Sequence, residues 1–216
     1  QALSSRDSLL GVAISALRPD ADGLLQAMQK LRDVGLPVIT VDSDCGSNYR
    51  DAFVGTNNFE AGKALGQKAL ELKPKGAKIC MFVGALSAQN AVDRRKGFLA
   101  GAGPTFTLVE SYQDETDPTK ARTNAESAMV AHSECSMLVG LWSYNGPAIA
   151  EAVENATASK HITVVTFDAE PNLLPLLEQG KVAATLAQRP YEMGPQGVLL
   201  LKALATGDEA AKKQIL

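Results

Sequence analysis

Two short segments of the sequence pass from apolar residues directly to a carboxylate. "VITVDSD" is apolar up to Asp42, and "VVTFDAEP" repeats the pattern with Asp168 in the matching place. An ionised aspartate accepts hydrogen bonds from hydroxyl groups, so two such residues could hold a small ligand that carries several hydroxyls. Two carboxylates could also hydrolyse a glycoside by acid–base chemistry, which leaves hydrolysis open as an alternative.

Other polar and aromatic residues follow the ends of predicted strands. Asparagine and glutamine both donate and accept hydrogen bonds, arginine donates in a planar fork, and tryptophan or tyrosine can cover the apolar face of a sugar ring. Asn90 and Arg94 are four residues apart on one predicted helix, so they share a face near its N-terminal end. The residues at predicted strand ends are Asp42, Trp142, Ser143, Tyr144, Asn145, Asp168 and Gln188.

No motif indicates a cofactor, a metal or a catalytic nucleophile. The sequence has no glycine-rich dinucleotide or P-loop motif, and His132 and His161 lie away from the predicted strand ends that carry the polar residues. Ser87 and Ser143 do lie at such ends, but no histidine accompanies them to complete a triad. We therefore expect no cofactor and no metal, and a protein that binds its ligand without transforming it.

Composition narrows the possible partners. The net charge of -3 argues against nucleic acid, and no apolar run approaches the ~20 residues that insertion across a membrane requires. The three cysteines, Cys45, Cys80 and Cys135, have no C-x-x-C spacing. Buried thiols are the expected state, with one internal disulfide as the alternative.

Predicted strands and helices alternate along the whole chain. Near-continuous apolar strands in such an alternation indicate parallel sheets covered by helices on both faces, hence an α/β fold. A closed barrel would need ~250 residues, so open doubly wound sheets are favoured. The eight predicted strands span residues 11–15, 37–42, 51–56, 77–84, 106–113, 136–142, 162–168 and 182–188.

The strands divide into two predicted lobes. The regular run from Ala77 to Gln188 supplies five strands and one complete lobe, and three strands precede it. We expect residues 1–56 and 190–216 to form the first lobe, residues 57–189 to form the second, and the ligand cleft to lie between them. The last helix, Tyr191 to Ala205, is too apolar to remain in solvent and is expected to pack on the first lobe through Val198, Leu199 and Leu201.

Longer motifs resemble a known family. "PVITVDSD", "VGTNNFEAGKALG", "NAVDRRKGF", "VVTFDAEP" and "GKVAATLAQRPYEMG" are similar, in the same order, to segments of the type I periplasmic sugar-binding proteins, the ribose-binding-protein family. The resemblance implies two doubly wound lobes that close on a sugar or polyol, delivery to a membrane ABC permease, and a periplasmic or other extracytoplasmic location. Part of it is shared with the sugar-effector domains of LacI-type transcription regulators, the alternative function.

The resemblance also implies individual functions. Asp42 and Asp168 match acids that bind sugar hydroxyls, Gln188 matches a pocket glutamine, and Tyr144 and Asn145 match a ligand-contacting strand end. Arg94 matches an arginine of the "R..GF" motif, although Val92 stands where some members carry the binding arginine, and Ser43 stands where ribose binders place another. These departures argue against ribose itself. The predicted ligand-binding set is Asp42, Ser43, Gln89, Asn90, Arg94, Trp142, Tyr144, Asn145, Asp168 and Gln188.

The same resemblance predicts an incomplete first lobe. The chain starts in what resembles the end of the family's second helix, and "KKQIL" stands where a last strand would begin. The first lobe is therefore expected to contain three strands.

Overall fold

The computed structural model of the protein describes residues 9–156 and 162–216, so His161 lies outside the described residues. Strands and helices alternate within these ranges. In chain order the elements are β1 (Val12–Ile14), α1 (Asp22–Asp33), β2 (Val38–Val41), β3 (Ala52–Val54), α2 (Asn58–Leu72), β4 (Ala77–Val83), α3 (Gln89–Ala102), β5 (Phe106–Gln113), α4 (Pro118–Ala131), β6 (Met137–Gly140), α5 (Asn145–Asn155), β7 (Thr163–Phe167), α6 (Leu174–Glu178), β8 (Ala184–Leu186), α7 (Pro190–Thr206) and α8 (Glu209–Ile215).

The strands form two sheets, and every pair of neighbours is parallel. The first sheet has the order β1-β2-β3 and the second the order β5-β4-β6-β7-β8. Each predicted strand is present, which confirms the α/β class with parallel sheets. In the second sheet the chain winds from β4 to β5 on one side and from β6 onwards on the other. Ligands of such sheets bind beyond the carboxyl ends of the strands at the point where the order reverses, here between β4 and β6.

The chain separates into two compact units. The first contains the residues up to Thr56, the short segment Ser87–Asn90 and the segment from Arg189 onwards, and the second contains Asn57–Leu86 and Ala91–Gln188. The sequence analysis placed Ser87–Asn90 and Arg189 in the second lobe, whereas the structure places them in the first unit. The side chain of Asn90 donates a hydrogen bond to Ser43 of the same unit.

Helix α7 covers the first sheet. Met193 and Leu200 are buried against Ile39, Ala52 and Val54, and Leu201 and Val41 add to the same cluster. Of the three residues expected to make this contact, only Leu201 does so, since Val198 and Leu199 are exposed. Helix α1 packs through Met28 and Leu24 in a second cluster of the same unit.

In the second unit, helices α2 and α3 approach until their backbones touch. A Cβ on Gly62 would lie 2.2 Å from the carbonyl oxygen of Arg94, and a Cβ on Gly97 would lie 2.0 Å from that of Phe59. Gly66 and Gly101 make equally close approaches one turn further along. The glycines of "EAGKALG" and "RRKGF" are thus required by packing, and this packing places Asn58 beside Arg94.

Side chains cap several of the helices at their N-terminal ends. Asn57 caps α2 by accepting a hydrogen bond from the amide of Glu60, and Asp117 caps α4. Helix α1 follows Ala21 without a side-chain cap. The segment "KKQIL", where the resemblance placed the start of a strand, instead lies at the end of α8, because alanine, glutamate and lysine favour a helix and Asp208 caps it. None of the helices in the described ranges is long and apolar enough to span a membrane.

Candidate functional site

Asp168 directly follows β7 in a backbone conformation that is unusual for a residue with a side chain. Its φ angle is 70°, and its amide donates a 2.8 Å hydrogen bond to the carbonyl of Leu186, the last residue of β8. Thr185 Oγ1 donates to the carbonyl of Asp168. A non-glycine residue with positive φ costs roughly 1–3 kcal/mol, and such conformations concentrate at functional sites.

Asp42 repeats this geometry in the first unit. It directly follows β2, its φ angle is 65°, and its amide donates a 3.0 Å hydrogen bond to the carbonyl of Val54, the last residue of β3. The two aspartates are therefore held by the same backbone arrangement at the carboxyl ends of two different sheets. Both are half-buried. Sequence patterning predicted both residues but carried no signal for the left-handed backbone.

Gln188, another residue of the predicted binding set, lies beside Asp168. Its Nε2 donates a 2.8 Å hydrogen bond to Asp168 Oδ1, which sets the position of the carboxylate. Gln188 lies two residues beyond the end of β8 and is half-buried. A carboxylate next to an amide provides acceptors and donors at one place, which is the pairing that ligand hydroxyls need.

The other residues after β2 bind within the protein. Ser43 is fully buried, and its Oγ accepts a 2.9 Å hydrogen bond from Asn90 Nδ2, a side chain that is itself 4 % exposed. Asp44 accepts two 2.5 Å hydrogen bonds from Arg50 and a third from Thr40. The pair Ser43–Asn90 thus fixes the loop that carries Asp42. Gln89, also in the predicted set, is half-buried in the first unit.

Arg94 lies in the core of the second unit. It is 1 % exposed, its Nε donates to Asn58 Oδ1 at 2.8 Å, and its Nη1 donates to the carbonyl of Leu141 at 2.6 Å. Its guanidinium carbon lies 4.4 Å from the centre of the Phe167 ring. Leu141 and Phe167 are the residues immediately before Trp142 and Asp168, so Arg94 supports both strand ends.

Tyr144 and Asn145 share a buried partner that sequence reasoning missed. Tyr144 Oη donates to Asp114 Oδ1, and Asn145 Nδ2 donates to Asp114 Oδ2 at 2.8 Å. Asn145 Oδ1 in turn accepts from the amide of Trp142 at 2.9 Å. Asp114 is fully buried and directly follows β5, but the polar residues "ESYQ" before it lack the apolar run that precedes Asp168.

Burial shifts the pKa values of Asp114 and Tyr144. Burial raises the pKa of the Asp114 carboxyl above its usual range, while the hydrogen bonds from Tyr144, Asn145 and the Thr116 amide act in the opposite direction. Burial, together with the bond to Asp114, also raises the pKa of the Tyr144 hydroxyl, so this group stays neutral and donates. Asp114 and Tyr144 thus hold Asn145 in place, and the side chain of Asn145 in turn positions the backbone of Trp142.

Trp142 and Tyr144 form an aromatic pair where the strand order reverses. Their ring centres are 6.5 Å apart at an interplanar angle of 74°. Gly84, directly after β4, leaves room for them, since a Cβ there would lie 2.0 Å from the Trp142 ring and 2.7 Å from Tyr144 Oη. Trp142 as a whole is half-buried.

The structure thus separates the predicted residues of the second unit by what they contact. Asp168, Gln188 and Trp142 combine partial exposure with positions beyond the sheet, whereas Arg94 and Asn145 are buried among protein partners. Within residues 9–156 and 162–216, no group of three or more histidine, cysteine, aspartate or glutamate side chains could hold a metal ion. The chemistry of the partly exposed set is hydrogen bonding and ring stacking.

Comparison with known proteins gives concordant matches. Residues 10–209 match the family described as "Periplasmic binding protein domain". The ribose import binding protein RbsB of Salmonella typhimurium is 25 % identical over 205 residues, which cover 94 % of this chain and 69 % of that protein.

Solved structures with the same fold include two binding proteins. GanP, a glucose-galactose binding protein from Geobacillus stearothermophilus, has a TM-score of 0.87 at 24 % identity and is matched over 94 % of this chain and 72 % of its own. An ABC transporter solute binding protein from Burkholderia graminis, in complex with D-arabinose, has a TM-score of 0.84 at 27 % identity, over 92 % of this chain and 70 % of its own.

Proposed function

Because the chain belongs to the periplasmic binding protein domain family, as its motifs predicted, we propose that it is a solute-binding protein for a sugar or sugar-like polyol. Members of the family are binding proteins and not enzymes, and the relatives named above bind sugars according to their names. In this proposal the protein works outside the cytoplasm and delivers its ligand to a membrane ABC permease.

The observation that carries the proposal is the matched pair of left-handed aspartates. Asp42 and Asp168 each adopt a strained backbone conformation. In each, the backbone amide donates a hydrogen bond to the carbonyl of the last residue of a neighbouring strand. Strain repeated at one residue type in two sheets is best explained by a shared function. We assign to each carboxylate the acceptance of hydrogen bonds from ligand hydroxyls.

The remaining residues divide into ligand contacts and supports. Gln188 orients Asp168 and offers its amide to a hydroxyl, and the half-buried Trp142 ring covers the apolar face of the sugar. Arg94, Asn145 and the pair Ser43–Asn90 hold the loops in place. Val92 and Ser43 replace arginines of ribose binders, so the proposed ligand class includes other pentoses, hexoses, polyols and sugar acids.

Melting curves against a panel of these compounds test the proposal. A ligand that binds the folded state raises Tm as its concentration increases. At a ligand concentration of about a hundred times Kd, the free energy of unfolding rises by about 2.7 kcal/mol. We expect one structural group of sugars or polyols to do so, with a stoichiometry of one in calorimetry and no chemical change of the sugar. The exposed Asp33→Asn variant is the matched control and should bind as the wild type does.

Two results would overturn the proposal. One is the absence of stabilisation by every member of the panel, and the other is conversion of a sugar to product. Delivery is a separate step, measured as sugar-dependent stimulation of ATP hydrolysis by a sugar ABC permease of the same organism in proteoliposomes. A permease whose ATP hydrolysis does not respond to the loaded protein would remove the transport part while leaving sugar binding intact.

A further inference from the structure

The core of the second unit contains two cysteines whose sulfur atoms are in contact. Cys80 lies on β4, Cys135 lies just before β6, and their Sγ atoms are 3.3 Å apart. Both side chains belong to the same apolar cluster and are 0 % and 2 % exposed. Cys45 belongs to a separate cluster of the first unit, where its thiol contacts the carbonyl of Gly46.

The backbone around this pair is already held in place. Strands β4 and β6 are neighbours with Cys80 opposite Leu138, and the amide of Ser136 donates to the carbonyl of Lys78. A disulfide has an S–S length of about 2.05 Å, so the two sulfur atoms need to approach by only about 1.3 Å. Of the pairings that three cysteines allow, this contact selects one.

We propose that Cys80 and Cys135 form a disulfide when the second unit folds in an oxidising environment. The reaction needs a disulfide as oxidant, such as oxidised glutathione or a thiol–disulfide oxidoreductase. One cysteine thiolate attacks the oxidant, breaks its S–S bond and releases one thiolate. The second cysteine thiolate then attacks the mixed disulfide and releases the other, so two protein thiols become one disulfide and the oxidant becomes two thiols.

Burial determines when the bond can form. It removes both sulfur atoms from solvent, and it raises the pKa of the Cys80 thiol and of the Cys135 thiol above their ordinary values. Thiolate is the reacting species, so thiols of this kind react slowly once the core has closed. The bond therefore forms during folding, and the finished core protects whichever redox state it encloses.

The disulfide should stabilise the protein. It closes a loop between residues 55 apart in sequence, which contains α3, β5 and α4. A loop of this length restricts the unfolded chain enough to raise Tm by about 5–10 °C, provided that the folded state accommodates the bond without strain.

The test compares two refolding conditions. The 216-residue chain is denatured and reduced, then refolded either with a mixture of oxidised and reduced glutathione or with dithiothreitol. Free thiols are counted with a maleimide after denaturation, and the cross-link is located by mass spectrometry of peptides. We expect one free thiol, Cys45, after oxidative refolding and three after reductive refolding, with the higher Tm in the oxidised sample.

Three variants make the test specific. Cys45→Ala should retain the disulfide and show no free thiol, whereas Cys80→Ala and, independently, Cys135→Ser should lose both the disulfide and the difference in Tm. Three free thiols after oxidative refolding, a cross-link that includes Cys45, or an oxidised form that melts no higher than the reduced form would each overturn the proposal. None of these readouts uses sugar binding, so failure here is distinct from failure of the proposed function.

Discussion

Asp114 and Asp168 occupy equivalent positions in the same sheet, because each is the first residue after a parallel strand. Their surroundings are opposite. Asp114 is fully buried and accepts hydrogen bonds from Tyr144, Asn145 and the Thr116 amide, whereas Asp168 is half-buried and accepts one from Gln188. The backbone strain lies at Asp168 itself, with φ of 70°. A strand-end carboxylate is therefore ambiguous until its partners are known, and the two residues should fail in different ways when they are changed.

The largest effect is expected for Asp114→Ala in the absence of ligand. The substitution leaves the hydroxyl of Tyr144 and the amide of Asn145 buried without their acceptor, at about 1–3 kcal/mol for each group. We expect unfolding in urea to show a loss of about 3–5 kcal/mol. The isosteric Asp114→Asn variant should lose less, because it keeps one acceptor oxygen. A melting temperature of Asp114→Ala equal to that of the wild type would show that the hydrogen bonds of Asp114 do not stabilise the fold.

Asp168→Ala should show the reverse pattern. A charge-assisted hydrogen bond to a hydroxyl is worth roughly 1.5–3 kcal/mol, so calorimetry should show affinity for the identified sugar weakened about ten- to a hundredfold. The Tm without sugar should fall less than that of Asp114→Ala, by the modest cost of alanine in a left-handed backbone, and Asp42→Ala should behave in the same way. Asp168→Asn is the matched control, since asparagine tolerates the left-handed backbone but carries no charge. Unchanged affinity combined with a large fall in Tm would mean that these aspartates serve the fold alone.

The dependence of stability on pH should distinguish the two carboxylates next. The pKa of Asp114 is raised in the folded state, so the folded protein binds this proton more readily than the unfolded chain does. The resulting stabilisation is complete below the ordinary aspartate pKa of about 4 and is lost as pH rises through the raised value. The free energy of unfolding of the wild type minus that of Asp114→Asn should therefore fall as pH rises across this window. A difference that rises instead would show that the folded state favours the charged carboxylate.

The smallest effect is expected for Thr185→Val. Valine matches threonine in shape but removes the hydroxyl that donates to the carbonyl of Asp168. One hydrogen bond of this kind contributes about 0.5–1.5 kcal/mol, so sugar affinity should weaken by about two- to tenfold as the turn loosens. Thr123→Val, which removes a comparable bond within α4, is the control and should leave affinity unchanged. Equal affinity in the two variants would show that Asp168 holds its conformation without Thr185.

Much of this arrangement could be predicted because it depends on local patterns. Apolar runs separated by helical stripes identify the strands, and parallel winding places the carboxyl ends of one sheet on one side, so the strand-end positions of Asp42, Asp168, Trp142 and Gln188 could be predicted. The caps at Asn57 and Asp117 likewise depend on residues within one helical turn.

The rest depended on contacts that are distant in sequence. Asp114 is 30 residues from Tyr144, and Arg94 is 36 residues from Asn58. Local spacing in the sequence therefore could not predict that these side chains form hydrogen bonds with each other. The positive φ of Asp42 and Asp168 arises where each amide bonds to a neighbouring strand. Helix α8 was missed because the expectation there came from the family and not from its own helix-forming residues.

The position of Arg94 has a consequence for attempts to change ligand preference. One guanidinium bonds to Leu141 and lies against Phe167, so the loops that present Trp142 and Asp168 share a single anchor. Residues joined through such a network usually show non-additive free energies when they are mutated together. We therefore expect the effects of substitutions in the two loops to depend on each other. A library that varies the loops of Trp142 and Asp168 together should yield ligand specificities that single substitutions made one after another do not.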